Sequence, residues 1–243
     1  MENTKGNNSK WKTTDNRFVA FLDILGFKDL VARNSHEYIY ELLQSITHTK
    51  KVIKDASAHP TIMKELGDVD VHIVNFSDSI ALFSKNDDPK NFKYFLLSVR
   101  WIFTEAIKKG IPLKGGFAHG TVSLNKTDQI YYGQAIIDAY LIEEEVNYYG
   151  VVAHNSIDKY MFDNKIPEID KILFESETPL KCGNIVHTNI NWFKIMKYET
   201  IEDLKNKIES YRNTSSGSPR RYVDNTLHVL EKVKDSIVLN TEE

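Results

Sequence analysis

A predicted β-hairpin between two helical segments is the feature of this sequence that most restricts its fold. Apolar and polar residues alternate over residues 68–83, and Ser77-Asp78-Ser79 interrupts the run as a tight polar turn would. A helical pattern with Ser35 as its N-cap precedes the hairpin, and the clearest amphipathic pattern of the chain, residues 92–106, follows it. This order favours an α+β, ferredoxin-like split βαβ fold, with an antiparallel or mixed sheet and helices on one face, over a doubly wound sheet.

The rest of the sequence predicts one main domain with two flanking parts. Residues 1–16 are polar and rich in Asn, Lys and Thr, which indicates a flexible N-terminal tail. The alternating strand and helix patterns that begin at Arg17 predict a domain over residues 17–175. Helical periodicity returns twice near the C-terminus, so we expect an extension over residues 176–243 with two helices packed on that domain.

Composition excludes several classes of protein. With 31 basic and 34 acidic residues the net charge is −3, which argues against nucleic acid as the main partner. No apolar run reaches the roughly 20 residues of a membrane span, and the N-terminus has no apolar signal region. The single cysteine, Cys182, excludes an internal disulfide and Cys-built metal centres, and we expect it to be buried or half-buried. A soluble, globular, cytoplasmic protein is the expectation that remains.

Asp23 is the first candidate for chemistry, because it ends the predicted strand and is followed by a turn containing Gly26. A carboxylate at a strand end is a suitable ligand for a hard divalent metal. The backbone N–H groups at the start of the next helix can hold phosphate, and Gly26 lets a ligand come close to the backbone. The alternative is structural: an aspartate that caps a helix, followed by a glycine needed for packing.

Asp78 in the hairpin turn is the second candidate. Turn chemistry alone accounts for Ser77-Asp78-Ser79, so the motif by itself does not require a function. In a split βαβ sheet, however, the first strand and the hairpin are neighbours, and Asp23 and Asp78 can meet. Two close carboxylates repel one another unless a cation lies between them, so the pair predicts a two-metal site for displacement at phosphorus.

A third segment, Lys114-Gly-Gly-Phe-Ala-His119-Gly120, combines charged and small residues in a predicted strand. Its glycines either admit a ligand or a partner chain or mark bulges. We interpret His119 as an ordinary strand residue, and Ser218-Pro219-Arg220-Arg221 as the start of a helix. Motifs of zinc proteases, serine hydrolases and phosphate-binding loops are absent from the sequence.

Four segments resemble, in order and spacing, the motifs of class III nucleotide cyclases. They are FLDILGF at 21–27, FSDSIALF at 76–83, LKGGFAHGTV at 113–122 and YYGQAIIDAYLIEEE at 131–145. In more detail, the residues of these four segments resemble those of the pyrimidine cyclases of bacterial Pycsar anti-phage systems. Those enzymes make cyclic UMP or cyclic CMP, and the product activates a separate effector protein.

The resemblance implies roles for particular residues. Asp23 and Asp78 would hold two Mn²⁺ or Mg²⁺ ions with the help of the Ile24 carbonyl, while the ribose 3′-hydroxyl attacks the α-phosphate and pyrophosphate leaves. The backbone N–H groups that would hold the β- and γ-phosphates are those of Leu25, Gly26 and Phe27. The resemblance also implies a homodimer with shared active sites, in which the strand at 111–122 and the helix at 133–146 face the partner.

The sequence departs from the purine cyclases of this family at the positions that read the base and steady the transition state. Val74 or Asn75 stands where those enzymes have a base-reading lysine, and Ile137 and Leu141 stand where they have asparagine and arginine. We therefore expect a pyrimidine substrate. The resemblance to the Pycsar enzymes, and not these departures, implies UTP in preference to CTP. The candidates for the missing cation at the α-phosphate are Lys114, where many members carry arginine, Arg100 and Arg33.

Three alternatives stay open. The first is a purine cyclase, which the missing residues argue against. The second is a cyclase fold that binds nucleotide without catalysis, which the missing transition-state residues favour and the retained aspartate pair argues against. A diguanylate-cyclase or polymerase-palm domain has a similar strand plan, but its Gly-Gly-Asp/Glu-Glu-Phe signature is absent from the sequence.

Overall fold

The computed structural model describes residues 10–193, 200–213 and 215–238. Its centre is an eight-stranded mixed sheet with the order β2-β3-β1-β4-β6-β8-β7, and β5 pairs with the end of β4. The strands are β1 (Thr14–Ile24), β2 (Val71–Phe76), β3 (Ser79–Ser84), β4 (Leu113–Asn125), β5 (Ile130–Tyr132), β6 (Val151–Ala153), β7 (Leu173–Leu180) and β8 (Gly183–Ile190). The predicted hairpin is therefore present as β2 and β3, and the predicted α+β fold with a mixed sheet is confirmed.

Helices cover both faces of the sheet, which corrects the expectation of one covered face. They are α1 (Phe27–Arg33), α2 (His36–Ser57), α3 (Pro60–Glu65), α4 (Pro89–Lys108), α5 (Gln134–Glu145), α6 (Asn155–Asp163), α7 (Ile201–Ser210) and α8 (Arg220–Val238). The main core lies between α4 and one face of the sheet and includes Phe18 and Leu22 of β1. Val19 of the same strand belongs to a second cluster with Ala135 and Ala139 of α5, because successive strand side chains point to opposite faces.

The N-terminal segment is more ordered than the predicted tail. β1 begins at Thr14, and the indole Nε1 of Trp11 donates a hydrogen bond to Asp70 at 2.9 Å. The guanidinium of Arg17 lies 5.0 Å from the Trp11 ring. Strand pairing therefore extends the sheet three residues into the region predicted to be a tail. The remainder of that prediction, residues 1–9, lies outside the described residues.

The C-terminal extension contributes strands as well as helices. The predicted boundary at residue 175 falls inside β7, and β8 joins the central sheet through the pairing of Val152 with Asn189. The Tyr211 hydroxyl, just beyond α7, donates to the carbonyl of Ile107 at 3.0 Å. In α8 the hydroxyl of Thr226 accepts a hydrogen bond from the Tyr149 N–H at 2.8 Å. α8 begins at Arg220, which agrees with the interpretation of that motif as a helix start.

Cys182 is exposed, so the expectation that it would be buried is wrong. It lies between β7 and β8, and a residue at the tip of a two-strand turn has no neighbouring layer to cover it. Among the described residues no helix is both long and apolar enough to cross a membrane.

Candidate active site

The structure brings Asp23 and Asp78 together at one end of the neighbouring strands β1 and β3. Asp23 is the penultimate residue of β1, and Asp78 lies in the turn between β2 and β3. The N–H of Ile24 donates to the carbonyl of Asp78 at 3.0 Å, and Asp23 pairs with Ser79 in the β1–β3 register. Backbone hydrogen bonds therefore hold together two aspartates that are far apart along the chain.

The electrostatics of this point suit a cation. Burial raises the pKa of Asp23, the charge of Asp78 raises that pKa further, Lys114 opposes the rise, and Glu144 adds to it. The carboxylate thus ionises against a local excess of negative charge, which a divalent cation would neutralise. In the described part of the chain no third His, Cys, Asp or Glu completes a metal-binding cluster. A hard cation here would therefore need further oxygens from the backbone, from water or from ligand phosphates.

The predicted phosphate-binding turn is only partly available. Gly26 has a φ of 73°, a left-handed conformation that favours glycine, and a Cβ built there meets nothing within 4 Å. The N–H of Leu25, however, donates to the carbonyl of Pro112 at 3.0 Å, so its predicted role in binding phosphate is wrong for this arrangement. α1 begins at Phe27, and the first N–H groups of a helix have no acceptor within the helix. For the N–H groups of Gly26 and Phe27, phosphate binding stays a prediction.

Lys114 lies opposite Asp23 in the β1–β4 register, but α5 holds its ammonium group. Its Nζ is 2.9 Å from Oε1 of Glu143 and donates to the Glu143 carbonyl at 3.0 Å. Lys114 is 5% exposed and Glu143 is 2% exposed. Burial raises the pKa of Glu143 to about 7, although Lys114 opposes the rise. In this arrangement Lys114 neutralises Glu143 and partly offsets Asp23, and it is not a free cation for a phosphate.

Sequence reasoning missed Glu143, although a signal was present. Ala135, Ala139 and Glu143 are spaced four residues apart, so they form one stripe along a helix. All three are buried, and the stripe faces β4. A glutamate that continues a stripe of buried alanines needs a buried cation, and Lys114 is that cation.

The other two cation candidates lie away from the aspartates. Arg100 belongs to α4 on the opposite face of the sheet, and its Nη1 donates to the carbonyl of Lys171 at 3.1 Å. Arg33 is exposed in the last turn of α1. His119 lies 3.2 Å from Asp87 by its Nε2 atom, which agrees with the interpretation of a strand histidine that has a local partner.

The glycines of β4 admit a helix of the same chain. A Cβ on Gly116 would lie 2.3 Å from Cγ2 of Ile142 and 2.5 Å from the carbonyl oxygen of Ala139. α5 therefore lies directly on β4, and residues 113–118 of that strand are buried within this chain. The expectation that the strand at 111–122 faces a partner is therefore wrong for residues 113–118, which the chain's own helix covers, and it stays a prediction for the exposed part around Thr121.

The structure also locates the positions at which the sequence departs from purine cyclases. Val74 packs in the same cluster as Phe21, on the face of the sheet that carries Asp23, and Asn75 points to the other face. Ile137 and Leu141 of α5 are 51% and 55% exposed. Both side chains therefore point away from their own sheet, toward solvent or a partner.

No family model matches the sequence, and no curated protein matches it either. Solved structures do match. The catalytic core of a rhodopsin-guanylyl cyclase with converted specificity, in complex with ATPαS, is 16% identical with a TM-score of 0.50, over 74% of this chain and 96% of that chain. The guanylate cyclase domain of RhGC from Catenaria anguillulae, in complex with GTP, is 17% identical with a TM-score of 0.48, over 74% and 98%. A bacterial light-regulated adenylyl cyclase is 12% identical with a TM-score of 0.46, over 74% and 92%.

The first of these matches shows that the chain has the fold of a class III nucleotide cyclase catalytic domain.

Proposed function

We propose that this protein is a nucleotide cyclase that converts a nucleoside triphosphate, UTP in preference to CTP, into a 3′,5′-cyclic monophosphate and pyrophosphate. The observation that carries the proposal is the junction of β1 with the β2–β3 turn, where the Ile24 N–H binds the Asp78 carbonyl at 3.0 Å beside Asp23. This pair of carboxylates lies at the strand ends of a sheet with the class III cyclase fold.

Each group at the junction has a proposed role. Asp23 and Asp78, with the Ile24 carbonyl, would hold two divalent cations, Mn²⁺ or Mg²⁺, which supply Lewis-acid charge at the reacting phosphates when bound. The N–H groups of Gly26 and Phe27 would hold the terminal phosphates. The contribution of these residues is positioning of the 3′-hydroxyl against the α-phosphate, and stabilisation of the charge that develops there.

A pyrimidine substrate is supported by the side chain at the base-reading position. Of the two candidates for that position, Val74 lies on the face of Asp23, and its apolar side chain has no hydrogen-bonding group with which to read a purine. The motif resemblance to Pycsar enzymes extends the proposal: the cyclic pyrimidine nucleotide would be a second messenger in anti-phage defence that activates a separate effector.

The test is to incubate the protein with ATP, GTP, CTP and UTP separately in Mn²⁺ and to identify the products by mass. We expect cyclic UMP, formed at least about tenfold faster than any other cyclic product, which is a difference of about 1.4 kcal/mol in activation free energy. Cyclic CMP as the main product would support the assignment as a cyclase and change its preferred substrate to CTP. A cyclic purine nucleotide as the main product would contradict the pyrimidine assignment.

We further propose that the enzyme is a homodimer in which the outer face of α5 meets the partner. This face presents three exposed apolar side chains, those of Ile137, Tyr140 and Leu141. Leu141→Lys is expected to give a monomer by light scattering. Turnover should fall in proportion to the loss of dimer, because each site would need both chains. Val186→Lys, which changes an exposed apolar residue on β8, is the matched control and should stay dimeric. An active monomer of Leu141→Lys would contradict shared sites.

A nucleotide-binding module without catalysis is the second candidate. The observation that favours it is the ion pair of Lys114 with Glu143, which leaves this lysine unavailable to an α-phosphate. Binding of a nucleoside triphosphate without any cyclic product in the same assay would favour this candidate.

A further inference from the structure

A cavity lies at the end of the sheet opposite the aspartates. It is formed where β1 and β2 begin and where β3 and β4 end, and its volume is about 930 Å³. Asp23 and Thr14 are nine residues apart on β1, a distance of about 30 Å in an extended strand. The cavity is therefore separate from the proposed active site, and its volume is in the range of small-molecule sites.

Positive charge dominates the lining of this cavity. Among the residues that the structure describes, it contains five lysines, Lys10, Lys12, Lys54, Lys85 and Lys126, against two aspartates, Asp68 and Asp70. The chain as a whole has a net charge of −3, so this excess of positive charge is a local feature. An excess of lysines around a concave surface attracts anions.

The two aspartates already have partners. The Nζ of Lys85 lies 2.7 and 2.6 Å from the two carboxylate oxygens of Asp68. Asp70 accepts the hydrogen bond of the Trp11 indole at 2.9 Å. Among the described residues, neither Lys54 nor Lys126 has a carboxylate within ion-pair distance. Their charges are therefore available to a ligand.

Lys126 lies in an unusual position for a free lysine. Its Nζ is 3.3 Å from the centroid of the Trp11 ring, while Arg17 lies 5.0 Å from the same ring. Burial lowers the pKa of Lys126 to about 8, Asp70 opposes the change, and Arg17, Lys54 and Lys85 add to it. An anion bound here would relieve the repulsion among these cations.

We propose that this cavity binds the polyphosphate group of a small molecule, with Lys54 and Lys126 as its principal contacts. Several lysines around one concave surface match a ligand that carries several negative charges, and lysine binds phosphate as a point charge. The phosphates are the recognised part, because cations already occupy positions over the Trp11 ring that a base would need for stacking. The group can come from free inorganic polyphosphate or from a nucleotide. This site does not depend on the proposed cyclase activity.

Calorimetric titration of the full chain with inorganic tripolyphosphate tests the proposal. EDTA is included, so that metal-dependent binding at Asp23 and Asp78 does not contribute. We expect one site per chain, and at least a tenfold loss of affinity in the double variant Lys54→Ala/Lys126→Ala. The matched control is Lys90→Ala/Lys165→Ala, which removes two exposed lysines from elsewhere and should bind like the wild type.

Fluorescence supplies a local readout. Binding should change the emission of Trp11, because the ligand would place negative charge beside the Lys126 ammonium group that lies over its ring. Trp11→Phe should lose the signal while calorimetric binding persists. Competition between UTP and tripolyphosphate in EDTA identifies the source: tighter binding of UTP indicates a nucleotide, and tighter binding of tripolyphosphate indicates the free polyanion. No binding at millimolar tripolyphosphate, or equal losses in both lysine variants, would overturn the proposal. Neither result bears on turnover at Asp23.

Discussion

Replacement of Asp23 or Asp78 by asparagine is expected to abolish cyclic nucleotide formation. Each substitution removes one of the two carboxylates that would hold the divalent cations at the junction of β1 and the β2–β3 turn. Metal-ion catalysis supplies several kcal/mol of charge stabilisation, and about 4 kcal/mol corresponds to a rate loss on the order of a thousandfold. Asp170→Asn, at an exposed aspartate far along the chain, should keep wild-type turnover.

The same variants should remain folded. For Asp23 the reason is that its carboxyl group is costly to ionise in the folded protein, and this cost makes the effect of the substitution depend on pH. Burial, followed by the charge of Asp78, raises the pKa of Asp23 in the folded protein. A raised carboxyl pKa contributes stability that is fully present below the unfolded-state pKa and is lost as the pH rises through the folded-state value. At neutral pH without metal, Asp23→Asn should therefore melt at or above the wild-type temperature, and this difference should shrink on acidification.

The effect of Mn²⁺ on the melting temperature distinguishes a variant that has lost metal binding from one that has lost its fold. Mn²⁺ held by Asp23 and Asp78 in the folded state would raise the melting temperature of the wild type, while Asp23→Asn and Asp78→Asn should show no such shift. Thermal unfolding with and without Mn²⁺ measures this difference. Wild-type turnover in either variant would refute the two-metal assignment, and a variant that has unfolded would leave Mn²⁺ without effect at a lowered melting temperature.

Gly116→Ala is expected to destabilise the protein strongly for so small a change. The new Cβ would lie 2.3 Å from Cγ2 of Ile142, 2.5 Å from the Ala139 carbonyl oxygen and 2.7 Å from the Glu143 nitrogen. Two of these atoms are backbone atoms of α5, so the helix must move away from β4. Overpacking of this kind costs about 3 kcal/mol or more of the free energy of unfolding. Displacement of α5 should also lower turnover, since this helix holds Lys114 beside Asp23.

Gly120→Ala on the same strand is the matched control. Its Cβ would meet the Cβ of Ala135 at 3.5 Å, an ordinary van der Waals contact. The free energy of unfolding should change by no more than about 0.5 kcal/mol. Denaturant unfolding of the two variants measures the difference. Equal stability of both variants would contradict the close seating of α5 on β4.

The sequence by itself determined the local elements of this protein. Neighbouring residues alone define the alternation through residues 71–84 and the helical period of α4, because the period of the side chains follows the backbone conformation. The end of β1 next to Asp23 and the turn at Asp78 were visible for the same reason. Their meeting followed from strand order, because a hairpin between two helices makes the first strand its neighbour.

Only the tertiary structure decided the partners of individual groups. The sequence could not show that Pro112 takes the Leu25 N–H, that Glu143 takes the Lys114 ammonium group, or that α5 covers β4. Each of these depends on atoms that are distant along the chain and are brought together by packing. Charge and hydrogen-bonding capacity can be read from the type of one residue. Whether that capacity is free for a ligand depends on whether another residue of the folded chain already binds the group.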